Sequence, residues 1–251
     1  MMKLGISYNL FDGEENLPAS FDTVKHIADF VCVVYQETSN TGEKRDMRPV
    51  LELCRKVGIK HHILFRPVHL VPAVSEAAKR NVGLDISRSV GCTHYMTMDC
   101  DELYKPDEIA KVWEDVQRER LVTTACQMQT YYKKPTICVD PPEEYFVPLI
   151  YQIDSRRFGR AQNFPVQVDK TRKLETLPTN RFRVYGRNEI EMHHWSYIRD
   201  DIRMKLRNSS AVVNFSDRVE EIAQYFDNYV DGEPAYFGGS EIRKLSVRVI
   251  Q

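Results

Sequence analysis

Over the first 120 residues the apolar positions switch back and forth between a two-residue and a helical period. Leu4-Gly5-Ile6-Ser7-Tyr8 alternates like a half-buried strand. Leu17, Phe21, Val24 and Ala28 then share one helical face, with Asn16 placed as its cap and Pro18 in the first turn. Phe30 to Tyr35 is an unbroken apolar run, as in a parallel strand covered on both sides. A second helix has Asp46 as cap, Val50, Leu53, Cys54 and Val57 inward, and Gly58 as its stop. His61 to Phe65 forms a third strand pattern. Val74 to Val90 is helical, with Ala78, Val82, Ile86 and Val90 in one row. A fourth strand from His94 precedes a helix opened by Pro106 and Asp107, which carries Ile109, Val112, Trp113 and Val116 on one face. Such alternation predicts a parallel sheet with covering helices.

Beyond residue 120 the order loosens. Leu121 to Gln129 and Phe146 to Ile153 are strand-like, separated by a predicted loop holding Lys133, Lys134, Pro135, Pro141 and Pro142. Ile190 to Tyr197 is another strand candidate. Helices are predicted from about Asp200 and from Ser216, the latter striped by Val219, Ile222, Ala223, Phe226 and Val230. Leu245 to Ile250 suits an edge strand. With no repeat or linker in 251 residues, the expectation is a single α/β domain, 1–251, with 211–251 as a C-terminal helix and tail extension.

A formal net charge of −1 excludes a global attraction to polyanions. Charge is concentrated locally, however. Residues 155–187 hold nine Lys and Arg against Asp169 and Glu175, a +7 segment in a chain whose remainder is −8. Such a field either faces a phosphate-bearing ligand or lies as solvated surface. The six cysteines are scattered without metal-finger spacing, several within apolar runs. No apolar stretch approaches the roughly 18 residues of a membrane span, and no signal-peptide core follows Met1. A reducing, cytoplasmic location is the expectation.

The most informative stretch is His94 to Glu102. An apolar strand ends there in Asp99 and Asp101, two carboxylates one residue apart. On a pleat, positions i and i+2 share a face, so both acids can address one ligand. Hard oxygen donors at the carboxyl end of a parallel strand suit Mg²⁺ or Mn²⁺ shared with substrate phosphates.

Three ordered motifs carry a family resemblance: Lys79-Arg80-Asn81-Val82-Gly83-Leu84-Asp85, then Met98-Asp99-Cys100-Asp101-Glu102, then His194-Trp195-Ser196-Tyr197. They resemble the Q-R-N-x-A-L-D, L-D-A-D-E and H-Y-S-Y signatures of family-two glycosyltransferases that extend bacterial surface polysaccharides such as lipopolysaccharide core. The resemblance spans roughly residues 3 to 210. It implies an α/β GT-A (nucleotide-diphospho-sugar transferase) fold with a mostly parallel central sheet and flanking helices. The implied activity is sugar transfer from a nucleotide-sugar donor to an acceptor glycan or lipid-linked saccharide, with inversion and with Mn²⁺ or Mg²⁺ as cofactor. By the same resemblance, Asp99, Asp101 and His194 are the metal set and Asp101 is catalytic. Tyr8, Asn9, Arg80 and Asn81 fall at donor-binding positions, and Arg199 or Lys205 would clamp the diphosphate. Strand neighbours point to opposite faces, so only one of His193 and His194 should reach the metal, and the motif selects His194.

Two departures from the family stand out. Where its members place a base-reading aspartate after the second strand, this chain has Tyr35-Gln36-Glu37-Thr38-Ser39-Asn40, leaving Gln36 and Glu37 as donor contacts. The general base is not fixed by any motif; Asp169, Glu175 and Asp154 are candidates by position. Two rival readings remain. A sugar-nucleotide nucleotidyltransferase normally has a glycine-rich basic loop after the first strand, whereas Tyr8 to Leu17 holds one glycine and several acids. A nucleic-acid-binding protein would use the basic segment, where Phe158, Phe164, Phe182 and Tyr185 are interleaved, and a hybrid of the two readings is a glycosyltransferase that modifies DNA held there.

Overall fold

The computed structural model describes residues 1–67, 71–159, 163–174, 180–209, 216–237 and 243–249. The amino-terminal alternation becomes β1 (Leu4–Leu10), α1 (Leu17–Val24), β2 (Phe30–Tyr35), α2 (Arg48–Val57), β3 (His61–Leu64), α3 (Pro72–Ser89) and β4 (His94–Asp99). β1 pairs in parallel with both β2 and β4, and β2 with β3, giving the central order β3-β2-β1-β4. The chain winds outward from β1 to β3 and then returns to the other side of β1. Winding therefore reverses between β1 and β4, and a crevice opens at their carboxyl ends.

The remaining elements extend this sheet. They are β5 (Glu102–Leu103), α4 (Pro106–Glu119), β6 (Thr123–Tyr132), β7 (Lys134–Val139), β8 (Phe146–Gln152), β9 (Phe182–Val184) and β10 (Glu191–Tyr197). After them come α5 (Ile202–Asn208), α6 (Val219–Asp227), β11 (Ala235–Phe237), β12 (Arg243–Leu245) and β13 (Val247–Val249). β8 lies antiparallel between β4 and β6. β10 runs parallel to β6 and antiparallel to the short β5, which sets His194 opposite Glu102. This pairing carries a late histidine to the turn that holds the two aspartates.

The main core lies between the parallel strands and α1, α2 and α4, with Leu4, Ile6, Val33, Met96, Ile109 and Val112 at its centre. A second core joins α5, α6 and β11 to Tyr132, Ile137 and Val139 on the far part of the sheet. All six cysteines are buried and free. Among the described residues, no helix is long and apolar enough to cross a membrane.

Three local expectations are corrected. Asn16 stands at the N-cap of α1 but its side chain makes no capping bond; its amide donates to the Ile198 carbonyl at 2.8 Å and ties α1 to the segment after β10. The predicted Lys133–Pro142 loop contains β7, whose buried Ile137, Cys138 and Val139 follow a turn with Lys133 at φ 60°. The apolar row of α3 is also not its deepest face. Ala78, Val82 and Ile86 are partly buried and Val90 is exposed, while Lys79, Arg80, Gly83 and Ser87 are buried. Gly83 is required there, because a Cβ would sit 2.1 Å from Ser7 Oγ and 2.6 Å from Tyr95 Oη.

Candidate active site

A cavity of about 340 Å³ opens at the carboxyl ends of β1, β2 and β4, where the winding reverses. Asn9 reaches it from β1, Asp12 from the segment after β1, Gln36 and Asn40 from the segment after β2, and Lys79 from α3. Asp99 and Asp101 form its floor, and His194, Arg199 and Lys205 enter from β10 and α5.

The two aspartates have different neighbours. Asp99 Oδ2 accepts from Arg172 at 2.7 Å and from Arg80 at 3.1 Å. Arg80 is 1% exposed and also donates to Thr97 Oγ1 at 3.0 Å and Glu76 Oε1 at 2.6 Å. Arg172 bridges onward to Glu102. Burial alone would raise the Asp99 pKa, yet Arg80 and Arg172 pull it well below the ordinary carboxylate range.

Asp101 faces the other way. Arg199 Nη2 donates to its Oδ2, and His194 Nε2 lies 3.9 Å from its Oδ1. Against the cost of burial, Arg199 and then His194 hold the Asp101 pKa down. Burial lowers the His194 pKa and outweighs the opposing pull of Asp101. His193 points to the opposite face, where its Nδ1 sits 2.8 Å from Tyr131 Oη. It has a structural partner and no view of the aspartates.

The cavity also holds polar groups without partners. Asn9 Oδ1, Gln36 Oε1, Asn40 Oδ1 and Arg199 Nη1 are buried and make no hydrogen bond among the described residues. Each such group is costly to leave unmade, and four around one cavity mark a surface shaped for a polar ligand. Lys79 donates to the Leu10 carbonyl at 3.0 Å, and burial brings its pKa down to about 8. Burial, reinforced by Arg199, also lowers the Lys205 pKa.

Asp169 lines the same cavity and caps the short turn Lys170–Arg172. Its Oδ1 accepts from the Thr171 amide at 2.6 Å. Arg172 closes the same turn onto Asp99, so one short segment delivers both a carboxylate and the cation that orients the strand end.

As a metal site, the donor set is incomplete on its own. Among the described residues no group of three or more His, Cys, Asp and Glu side chains is arranged to hold an ion. Asp99 is turned to its arginines, leaving Asp101 and His194 as the facing pair. A hard carboxylate with one neutral imidazole fits Mg²⁺ or Mn²⁺ completed by phosphate oxygens and water.

Several residues expected at the site lie elsewhere. Tyr8 is fully buried in the core with its hydroxyl 3.2 Å from Ser20 Oγ. The Asn81 side chain is consumed by Phe158, donating to its carbonyl at 3.0 Å and accepting from its amide at 2.9 Å. Glu37 is exposed, on the strand-alternate side from Gln36, and does not line the cavity. Asp154 sits at the opposite end of the sheet beside Arg156. Glu175 lies outside the described residues. Conversely, Lys79, Asp12, Asn40 and Arg172 join the site without having been singled out as contacts. Lys79 was visible only as the opening residue of the α3 motif, and Arg172 only as one charge in the basic segment.

That segment is not a bare positive stripe. Arg157 pairs with Asp85, Arg172 with Asp99 and Glu102, Arg183 with Asp115, Glu119 and Glu189, and Arg187 with Glu191. With Arg156 on Asp154, five of its nine cations are met by acids from outside the segment; Arg160 lies outside the described residues.

No family model matches the sequence, and no curated protein matches it. Solved structures with a similar chain course include S. aureus TarS, at 14% identity and TM-score 0.48, covering 85% of this chain and 40% of that one. The S. aureus TarS fragment 1–349 in complex with UDP is 12% identical, also at TM-score 0.48, covering 85% of this chain and 66% of that one. A CMP:2-keto-3-deoxy-manno-octonic acid synthetase in complex with CTP is 11% identical at TM-score 0.39, with 61% and 75% covered. This chain thus spans less than two thirds of the TarS chains it resembles, and TM-scores below 0.5 transfer no activity.

Proposed function

We propose that this chain is a GT-A-type glycosyltransferase that moves a sugar from a nucleotide-sugar donor to an acceptor hydroxyl, with inversion and with Mn²⁺ or Mg²⁺. The observation that carries the reading is the meeting of Asp101 and His194, 3.9 Å apart, in a cavity at the reversal of winding. The three motifs that resemble family-two glycosyltransferases supply both residues, and β10 pairing with β5 brings them together.

A divalent ion held by Asp101 and His194 would supply positive charge to the departing diphosphate. The chain's own cations act on the same group. Lys79, Lys205 and the unpartnered Nη1 of Arg199 line that side of the cavity and bind phosphate oxygens. Asn9, Gln36 and Asn40 present unmatched amide oxygens, which accept hydrogen bonds from ribose hydroxyls or a base N–H. Asp169 has one oxygen fixed by Thr171, and the other takes the acceptor's proton as its oxygen attacks the anomeric carbon and the sugar–phosphate bond breaks.

Product analysis tests this. Incubation with a panel of UDP-, GDP-, CMP- and dTDP-sugars and Mn²⁺ should release free nucleotide from at least one donor, and Asp101→Asn should abolish the release. Pyrophosphate formed from a nucleoside triphosphate and a sugar phosphate would instead establish a nucleotidyltransferase and overturn the proposal. The acidic loop between β1 and α1, with Asp12, Glu14 and Glu15, argues against triphosphate binding there. Internal pairing of the basic segment likewise argues against a nucleic-acid acceptor.

A further inference from the structure

The Asp101–Arg199 pair is more than a neutralised acid. The two side chains are 7% and 5% exposed, and a carboxylate so deeply buried is not stable without a counter-charge. Arg199 supplies that charge from one end only. Its Nη2 donates to Asp101, its Nε donates to the Ser196 carbonyl at 3.2 Å, and its Nη1 is buried with no hydrogen-bond partner among the described residues. Nη1 stands 4.0 Å from Glu15 Oε1, an ion pair without a hydrogen bond, and Asp12 adds to the negative field around it. The guanidinium occupies a seat that exists because residue 13 is glycine; a Cβ there would lie 1.5 Å from Nη1. Lys205 adds a second positive charge facing the same aspartate.

We propose that Arg199 is a resident placeholder for the divalent cation: it holds Asp101 while the site lacks phosphate and yields that carboxylate when a diphosphate arrives. The inference rests on the glycosyltransferase reading and specifies the order in which that site fills. A cation placed between Asp101 and His194 meets the repulsion of Arg199 and Lys205. A diphosphate cancels that repulsion and gives the unpartnered Nη1 an acceptor. Metal and diphosphate therefore bind weakly apart and strongly together, and the dependence is reciprocal.

Mn²⁺ titration followed by electron paramagnetic resonance tests this, with and without UDP, GDP, CDP or dTDP. For the wild-type chain, the best of these nucleotides should tighten Mn²⁺ binding at least about tenfold. Arg199→Met should bind Mn²⁺ alone about tenfold more tightly than wild type, and the nucleotide effect should shrink to under about threefold. Its melting temperature should rise more on Mn²⁺ addition than that of wild type, since the ion restores the missing counter-charge. Arg199→Lys, which keeps the charge, should recover most of the coupling and guards against misfolding of the methionine variant. Wild-type Mn²⁺ binding that is tight without nucleotide, or unchanged in Arg199→Met, overturns the placeholder and leaves the transferase reading standing. Absence of Mn²⁺ binding with every nucleotide overturns both.

Discussion

The two ends of β4 treat buried polarity in opposite ways. At the amino end His94 is 4% exposed, sits edge-on to Trp113 at 5.3 Å and has its Nδ1 3.0 Å from Thr93 Oγ1. Burial lowers its pKa to about 4, so it is packed as a neutral ring. At the carboxyl end the Asp101 side chain is 7% exposed and that of Asp99 31%, and each is held as a carboxylate by arginine. The larger cavity, about 640 Å³, lies at the amino end, yet none of its lining residues carries an unpartnered buried side-chain polar atom among the described residues. The smaller one has four.

Substitution at the two ends should separate activity from stability. Asp101→Asn removes the charge that faces His194 and should lower turnover about a thousandfold, as loss of a key electrostatic group does. His94→Gln should change turnover less than about twofold. Equal losses from the two variants in a steady-state assay would erase the distinction. Arg172→Met should cost about 3–5 kcal/mol in urea unfolding, because it leaves Glu102 buried without its cation, while Asp99 keeps Arg80. A loss below about 1 kcal/mol would show that solvent screens the array.

Acid titration sharpens the amino-end half of the contrast. The folded pKa of His94 lies below its ordinary value of 6.5, so between the two the unfolded chain binds more protons. Its contribution is complete above pH 6.5 and is lost as pH falls through about 4, a decline of about 3 kcal/mol. Comparing unfolding at pH 7 and pH 4 for wild type and His94→Gln isolates this residue from the carboxylates, which also lose stabilisation in acid. An identical decline in both proteins would contradict the assignment. The smallest effect belongs to Gly83→Ala, where overpacking against Ser7 and Tyr95 should cost about 1–3 kcal/mol without changing nucleotide affinity.

The parallel half of the fold was legible because its strands are covered on both faces, so Phe30 to Tyr35 and His94 to Met98 stand out as apolar runs. β7 was hidden because Lys134 and Pro135 precede its three buried residues. On α3, the periodic apolar row marks a half-buried face, whereas the deepest face is polar because Lys79 reaches the end of β1 and Arg80 the end of β4. Periodicity registers apolar burial alone, so a helix face buried for electrostatic reasons escapes it. The pairing of His194 with the aspartate turn came from a motif resemblance; nothing in local pattern specifies that β10 returns beside β5. Arg172 escaped for the same reason, since its acids lie far away in sequence.

The most direct measurement is anomalous diffraction at the manganese edge from crystals grown with Mn²⁺ and the nucleoside diphosphate that binds best. The expected result is one strong peak bound by the Asp101 carboxylate and His194 Nε2, with phosphate oxygens completing its shell and Arg199 turned from Asp101 toward the diphosphate. A nucleotide bound away from the ends of β1 and β4, or an ion that bypasses both Asp101 and His194, would contradict the account.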